Sequence, residues 1–100
     1  MVKKNQPLTQ ESFDKLLAWL HPNREQAGQK YEGIYHELIK LFLRWGSQEP
    51  EEDADATINR VACEIDAIEK EYTGDPASYF YTVARSVYVE NHRIYRSEAA

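Results

Sequence analysis

The stretch from Asp75 to Arg93 leaves the chain little choice of conformation. Asp75 suits a helix N-cap, because its carboxylate accepts a hydrogen bond from an unpaired first-turn amide. Pro76 follows at the first helical position, where a missing N–H costs nothing. Phe80, Val83, Ala84 and Val87 then recur at i, i+3, i+4 and i+7, so they stack along one side of a helix and require a core to cover them. Tyr81, Arg85, Tyr88, His92 and Arg96 recur at steps of four, three, four and four along another side. At about 100° per residue this second line lies roughly a third of a turn from the first. Such a helix is buried along one side and offers rings and cations along the other. The same tyrosines, with Tyr79 and Tyr95, also suit a plainer task, covering the edge of a core with their hydroxyls in water.

The rest of the chain repeats the helical period. Thr9 is placed to cap a first helix running to about Leu20, with Phe13, Leu16, Leu17 and Leu20 as its apolar stripe. His21-Pro22-Asn23 interrupts it. A second helix is expected from Asn23 to Trp45, with Tyr31, Ile34, Tyr35, Leu38, Phe42 and Trp45 at helical spacing. Gly28 and Gly33 lie inside it at a cost of about 1 kcal/mol each relative to alanine, which close packing of a neighbour would explain. Gly46 is a natural stop. A third helix is expected from Pro50 to Glu71, with Ala54, Ile58, Val61, Ile65, Ile68 and Tyr72 as its seam. Its first turn holds Glu51, Glu52 and Asp53, which favour the positive end of the helix dipole. Thr73-Gly74 ends it. Strand-like alternation is absent, and glycine and proline number only four each. The expected fold is therefore all-α, a compact four-helix domain spanning residues 8–96, with flexible ends at 1–7 and 97–100. Trp19 and Trp45 read as packing residues, and Cys63, close to the seam residue Val61, as a small side chain at least partly buried.

Charge is distributed unevenly. The net value is −5, and residues 47–75 alone carry ten acidic and two basic side chains. Generic binding to nucleic acid is disfavoured by that total. A local site outside the acidic block can still meet phosphate, with strong salt dependence. No run approaches the roughly 20 apolar residues of a membrane span. The N-terminus lacks the apolar core of a signal peptide, and one cysteine permits no internal disulfide, so a cytoplasmic protein is expected.

Enzyme chemistry finds no support. His21, His36 and His92 are scattered, and His36-Glu37 is followed at position 40 by lysine, not a second histidine. Neither a zinc-ligand spacing nor a glycine-rich phosphate loop is present. The protein is expected not to be an enzyme and to need no cofactor.

Two segments carry a family resemblance. Pro50-Glu51-Glu52-Asp53-Ala54-Asp55-Ala56-Thr57-Ile58-Asn59-Arg60-Val61 and Pro76-Ala77-Ser78-Tyr79-Phe80-Tyr81-Thr82-Val83-Ala84-Arg85-Ser86 resemble, in this order and spacing, region 2 of bacterial sigma factors of the extracytoplasmic-function type. With the helix around Tyr31–Lys40 the resemblance covers roughly residues 12–96. It implies a helical domain for transcription initiation with two partners. The first segment, through Glu52, Asp55, Asn59 and Arg60, would dock on the β′ subunit of core RNA polymerase. The last helix, through Tyr81, Arg85, Tyr88, His92 and Arg96, would engage the promoter −10 element and its opened non-template strand. Thr73, Gly74 and Asp75 occupy the place of the family's base-capturing loop. Stacking of single-stranded bases on aromatic faces suits that role, at about 1–3 kcal/mol per base. The match is incomplete. Asp55 stands where the family usually has glutamine, Ala56 where it usually has a polymerase-binding glutamate, and Ser86 where asparagine is common. These departures keep an alternative open: a degenerate sigma-like domain serving as a protein-interaction or regulatory module, binding an anti-sigma or other regulatory protein without contacting DNA.

Overall fold

The computed structural model describes the backbone of residues 9–99 and the side chains of residues 9–91. Five helices follow in order: α1 (Gln10–Leu20), α2 (Arg24–Arg44), α3 (Pro50–Cys63), α4 (Ile65–Glu71) and α5 (Pro76–Ala99). No strand occurs among the described residues. Residues 1–7 and 100, expected to be flexible, lie outside the described residues; 97–99, expected to be flexible as well, continue the backbone of α5.

Local chemistry sets most of the helix ends. The Thr9 hydroxyl accepts the Ser12 amide at 3.1 Å, and the Asn23 side chain accepts the Gln26 amide at 3.0 Å, so α1 and α2 both begin on a side-chain cap. At the other end of α2, Gly46 has φ +92°, a conformation that carries no steric cost without a Cβ. There the Ser47 amide reaches the Phe42 carbonyl and the Gly46 amide reaches the Leu43 carbonyl, the paired bonds of a Schellman stop. Pro50 opens α3, and Pro76 opens α5, where the Ser78 amide bonds the Asp75 carbonyl.

Four helices were expected and five are found among the described residues, because the third breaks. Glu64, at φ −108° and ψ 16°, leaves helical geometry, and its amide bonds back to Val61, three residues earlier. The tightened turn redirects the chain, so that α4 packs on α1. Ile65 and Ile68 stay buried after the bend, and Lys15 of α1 reaches Asp66 of α4 at 3.2 Å. Cys63, at the break, is exposed rather than buried. It lies nine residues from Ala54, and nine steps of about 100° put it on the opposite side of α3.

The core is shared by all five described helices, α4 contributing Ile65 and Ile68, with Leu16, Leu38, Phe42, Ile58, Val61 and Phe80 fully enclosed. Ala84 and Val87 continue the buried line of α5, while Val83, expected among them, is half-buried at its edge. The enclosed Thr57 is satisfied by donating its hydroxyl to the Asp53 carbonyl at 2.8 Å. Asp53 also pins the α2–α3 turn to α5, accepting from the Ser47 hydroxyl and from the Asn91 amide at 2.9 Å. Gly28 and Gly33 face open space, so close packing does not account for them.

Candidate nucleic-acid interface

α2 and α5 meet along one edge of the bundle and leave a groove of about 410 Å³ between them. α5 contributes Tyr81, Thr82 and Arg85. α2 contributes Glu37, Leu41 and Arg44 at i, i+4 and i+7, followed by Trp45 at the helix end. The spacing on each helix brings side chains one and two turns apart to the same edge.

Two features give the groove its chemistry. The first is unneutralised positive charge. Four arginines have described side chains. Arg24 pairs with Asp14 at 2.9 Å, and Arg60 pairs with Glu90 through two bonds of 3.0 and 3.1 Å. Arg44 and Arg85, the two in the groove, have no carboxylate partner among the described residues. Glu37 lies nearby, but it already contacts Lys40 at 3.6 Å. The second feature is aromatic surface. Tyr81 is exposed, at 37%, and Trp45 is half-buried. Partial burial, and then the charges of Glu37 and Asp75, raise the Tyr81 hydroxyl above its ordinary value, so it stays neutral.

Tyr88 was expected to stand in the open beside Tyr81 and Arg85. It is half-buried instead. Its hydroxyl donates to the Trp45 carbonyl at 2.6 Å, and its ring lies 5.3 Å from the Trp45 ring. A carbonyl at a helix end has no partner within its own helix, and Tyr88 supplies one. The contact holds Trp45 from behind, so Tyr88 acts on the groove through Trp45. His92 and Arg96 continue the line of Tyr81 and Arg85 along α5, but their side chains lie outside the described residues.

The loop before α5 rests on aromatic rings. Thr73, Gly74 and Asp75 are exposed. Beneath them, Tyr72 lies 5.0 Å from Tyr79 and 6.3 Å from Trp19, edge to face, and donates its hydroxyl to the Asp75 carbonyl at 3.0 Å. A Cβ on Gly74 would sit 2.6 Å from that hydroxyl oxygen, so glycine is what lets the ring pass under the loop.

The second predicted surface divides. Glu52, Asp55 and Asn59 recur at i, i+3 and i+7 along one side of α3, with Glu52 and Asp55 exposed and Asn59 half-buried. A side-chain hydrogen bond with Glu49, and then its charge, raises the Glu52 carboxyl above its ordinary value. α2 and α3 pack side by side here, and burial, then the negative charge of Asp55, raises the Tyr35 hydroxyl above its ordinary value. Arg60 lies around the helix and is held by Glu90 of α5, away from the acidic side chains. Ala56 is half-buried against the core.

Sequence reasoning missed the contribution of α2. Arg44 was not singled out; Trp45 was read as a packing residue, and it does pack on the core, 5.7 Å from the Phe42 ring, while also lining the groove. The signal was present as the Glu37, Leu41, Arg44 spacing, but only the approach of α5 gives it meaning. Among the described residues no group of three or more His, Cys, Asp or Glu side chains is placed to hold a metal ion, and no helix is long and apolar enough to cross a membrane. Comparison with family models, curated proteins and solved structures returned no match to this chain.

Proposed function

We propose that this chain is a sigma-factor-like domain for transcription initiation, whose α2–α5 groove takes the opened non-template strand of a promoter −10 element. The observation that carries the reading is the pairing of two arginines, without a carboxylate partner among the described residues, with Trp45 and Tyr81 in one groove. Guanidinium groups match phosphate with two parallel bonds, and aromatic faces accept unpaired bases. The acidic remainder of the molecule repels duplex DNA elsewhere, which confines contact to this edge. The exposed line of Glu52 and Asp55 with Asn59 on α3 is the proposed docking surface for the β′ subunit of core polymerase. The resemblance of the two sequence segments to region 2 supports both assignments.

The test is anisotropy titration of a labelled single-stranded −10-like oligonucleotide at low and moderate salt, with and without core polymerase. Binding is expected to weaken with salt and to tighten with polymerase. Arg44→Glu combined with Arg85→Glu reverses the charge of the groove and should weaken binding by at least about tenfold while the thermal melt is retained, since both side chains are exposed. Unchanged binding by that variant would remove the groove from the reading.

One observation favours a second reading. Arg60, a matching position of the resemblance, is occupied by Glu90, and Ala56 offers no carboxylate. A domain of this kind that binds a regulatory protein, not polymerase, would show no strand binding and no response to polymerase in the same titration.

A further inference from the structure

We propose that Asn91 is a positioning residue for the strand groove: by bonding Asp53 it ties the chain that follows Trp45 to α5, and with Tyr88 it holds the Trp45 ring where a base can stack. The inference rests on the strand-binding reading and adds to it a residue that does not touch the strand.

Trp45 stands where a helix is least secure. It is the C-cap of α2, and Gly46 turns the chain away directly after it. Helix ends fray, because their last carbonyls lack partners within the helix. Two ties from α5 grip this end. Tyr88 donates to the Trp45 carbonyl at 2.6 Å. Asn91, about one helical turn later, donates through Nδ2 to Asp53 Oδ1 at 2.9 Å. The other carboxylate oxygen of Asp53 accepts from the hydroxyl of Ser47, two residues past Trp45. Asp53 is itself held. Its amide bonds the Glu49 carbonyl at 2.9 Å, and its carbonyl accepts from the enclosed Thr57 at 2.8 Å. The Ser47 hydroxyl also accepts from the Glu49 amide at 3.1 Å, which fixes the turn. Asn91 therefore reaches the end of α2 through a carboxylate with a donor on each oxygen. Tyr88 and Asn91 follow Arg85 in the chain, and Trp45 and Ser47 follow Arg44, so the clasp closes one end of the groove. Neither Tyr88 nor Asn91 lines the groove itself.

The two kinds of contact in the groove depend on the clasp to different degrees. Arg44 and Arg85 are exposed and carry their charge on long side chains, which can follow a phosphate when the end of α2 shifts. A ring must already face the base. A ring fixed beforehand needs little further ordering on binding, whereas a loose one loses its freedom at that moment. Loss of the clasp therefore weakens the hold on bases and spares the hold on phosphates.

The experiment compares a short labelled thymidine strand with an abasic strand of the same length, so the phosphates are alike and only the bases differ. The parent protein should bind the thymidine strand about tenfold more tightly, within the contribution of one stacked base. Asn91→Ala changes no charge and suits a helix. It should bind the thymidine strand about threefold more weakly, and Asn91→Ala with Tyr88→Phe about tenfold, within the cost of ordering a side chain on binding. Affinity for the abasic strand and the salt dependence should not change. Tyr88→Phe alone is measured beside them. All titrations are made well below the melting temperature of each variant, so a role in stability alone would leave the ratio of the two strands at its parent value. That unchanged ratio overturns the proposal, as does equal weakening of both strands, or an effect confined to Tyr88→Phe. Equal binding of the two strands by the parent protein also overturns it and leaves phosphate-driven strand binding intact; absence of binding to either strand overturns both readings.

Discussion

At the scale of single residues, two contacts show how a side chain's partner redefines its role. Tyr72 donates to the Asp75 carbonyl while its ring crosses Gly74, so the loop before α5 has one geometry. Gly74→Ala drives a methyl group into that ring. The expected loss is about 1–2 kcal/mol, the size of a hydrogen bond together with weakened edge-to-face contacts, read as a lower melting temperature. In a Tyr72→Ala background the same change should be neutral or mildly stabilising, because the obstacle is gone and alanine reduces the freedom of the unfolded chain. The second contact joins two carboxyls. Glu52 is raised above its ordinary value of 4.5 by its neighbour Glu49. The folded state therefore holds that proton more tightly than the unfolded state does. The resulting stabilisation is present in acid and is lost as pH rises through 4.5 and the raised folded value above it. Denaturant midpoints followed across this window should fall more steeply with rising pH in the parent protein than in Glu52→Gln. Parallel profiles would mean that the two carboxyls do not share a proton.

At the scale of helices, the cap at Thr9, the stop at Gly46 and the starts at Pro50 and Pro76 were legible in the sequence, whereas Asn23, read as the first residue of the second helix, is its cap. Each depends on chemistry within a few residues. The glycines inside α2 were legible as a cost, but their supposed benefit was not found. Nothing lies within 4 Å of a Cβ built at Gly28 or Gly33. Gly28→Ala and Gly33→Ala should each stabilise the protein by about 0.5–1 kcal/mol, raising the melting temperature by several degrees. A fall in melting temperature would show that a neighbour occupies that space in solution. The break between α3 and α4 was not legible. Residues 62–66 contain neither glycine nor proline, and the seam of Ile58, Val61, Ile65 and Ile68 reads without interruption as one helix. A continuous helix would bury these side chains along a straight line. Packing on α1 requires the line to turn.

At the scale of the whole molecule, α5 is anchored on both sides. Phe80 is fully enclosed, Glu90 and Asn91 are tied to α3, and Tyr88 is tied to the end of α2. Phe80→Ala should cost about 3–5 kcal/mol, a large part of the stability of a domain of this size, and lower the denaturant midpoint accordingly. An unchanged midpoint would remove Phe80 from the core. The anchoring matters to the groove because Tyr81 follows Phe80 directly and Arg85 lies one helical turn beyond Tyr81. What the sequence determined by itself was the local and periodic part: helices throughout, their caps, their apolar faces and the exposed line of Tyr81 and Arg85. These follow from steric and hydrogen-bonding rules that act over a few residues. The tertiary structure decided which lines face each other. It joined Arg44 and Trp45 to the α5 line, drew Tyr88 out of it, committed Arg60 to Glu90 and bent the chain at Glu64. Each of these rests on contacts between residues far apart in the chain or on the packing of one helix against another, and no spacing within a single segment encodes such a contact.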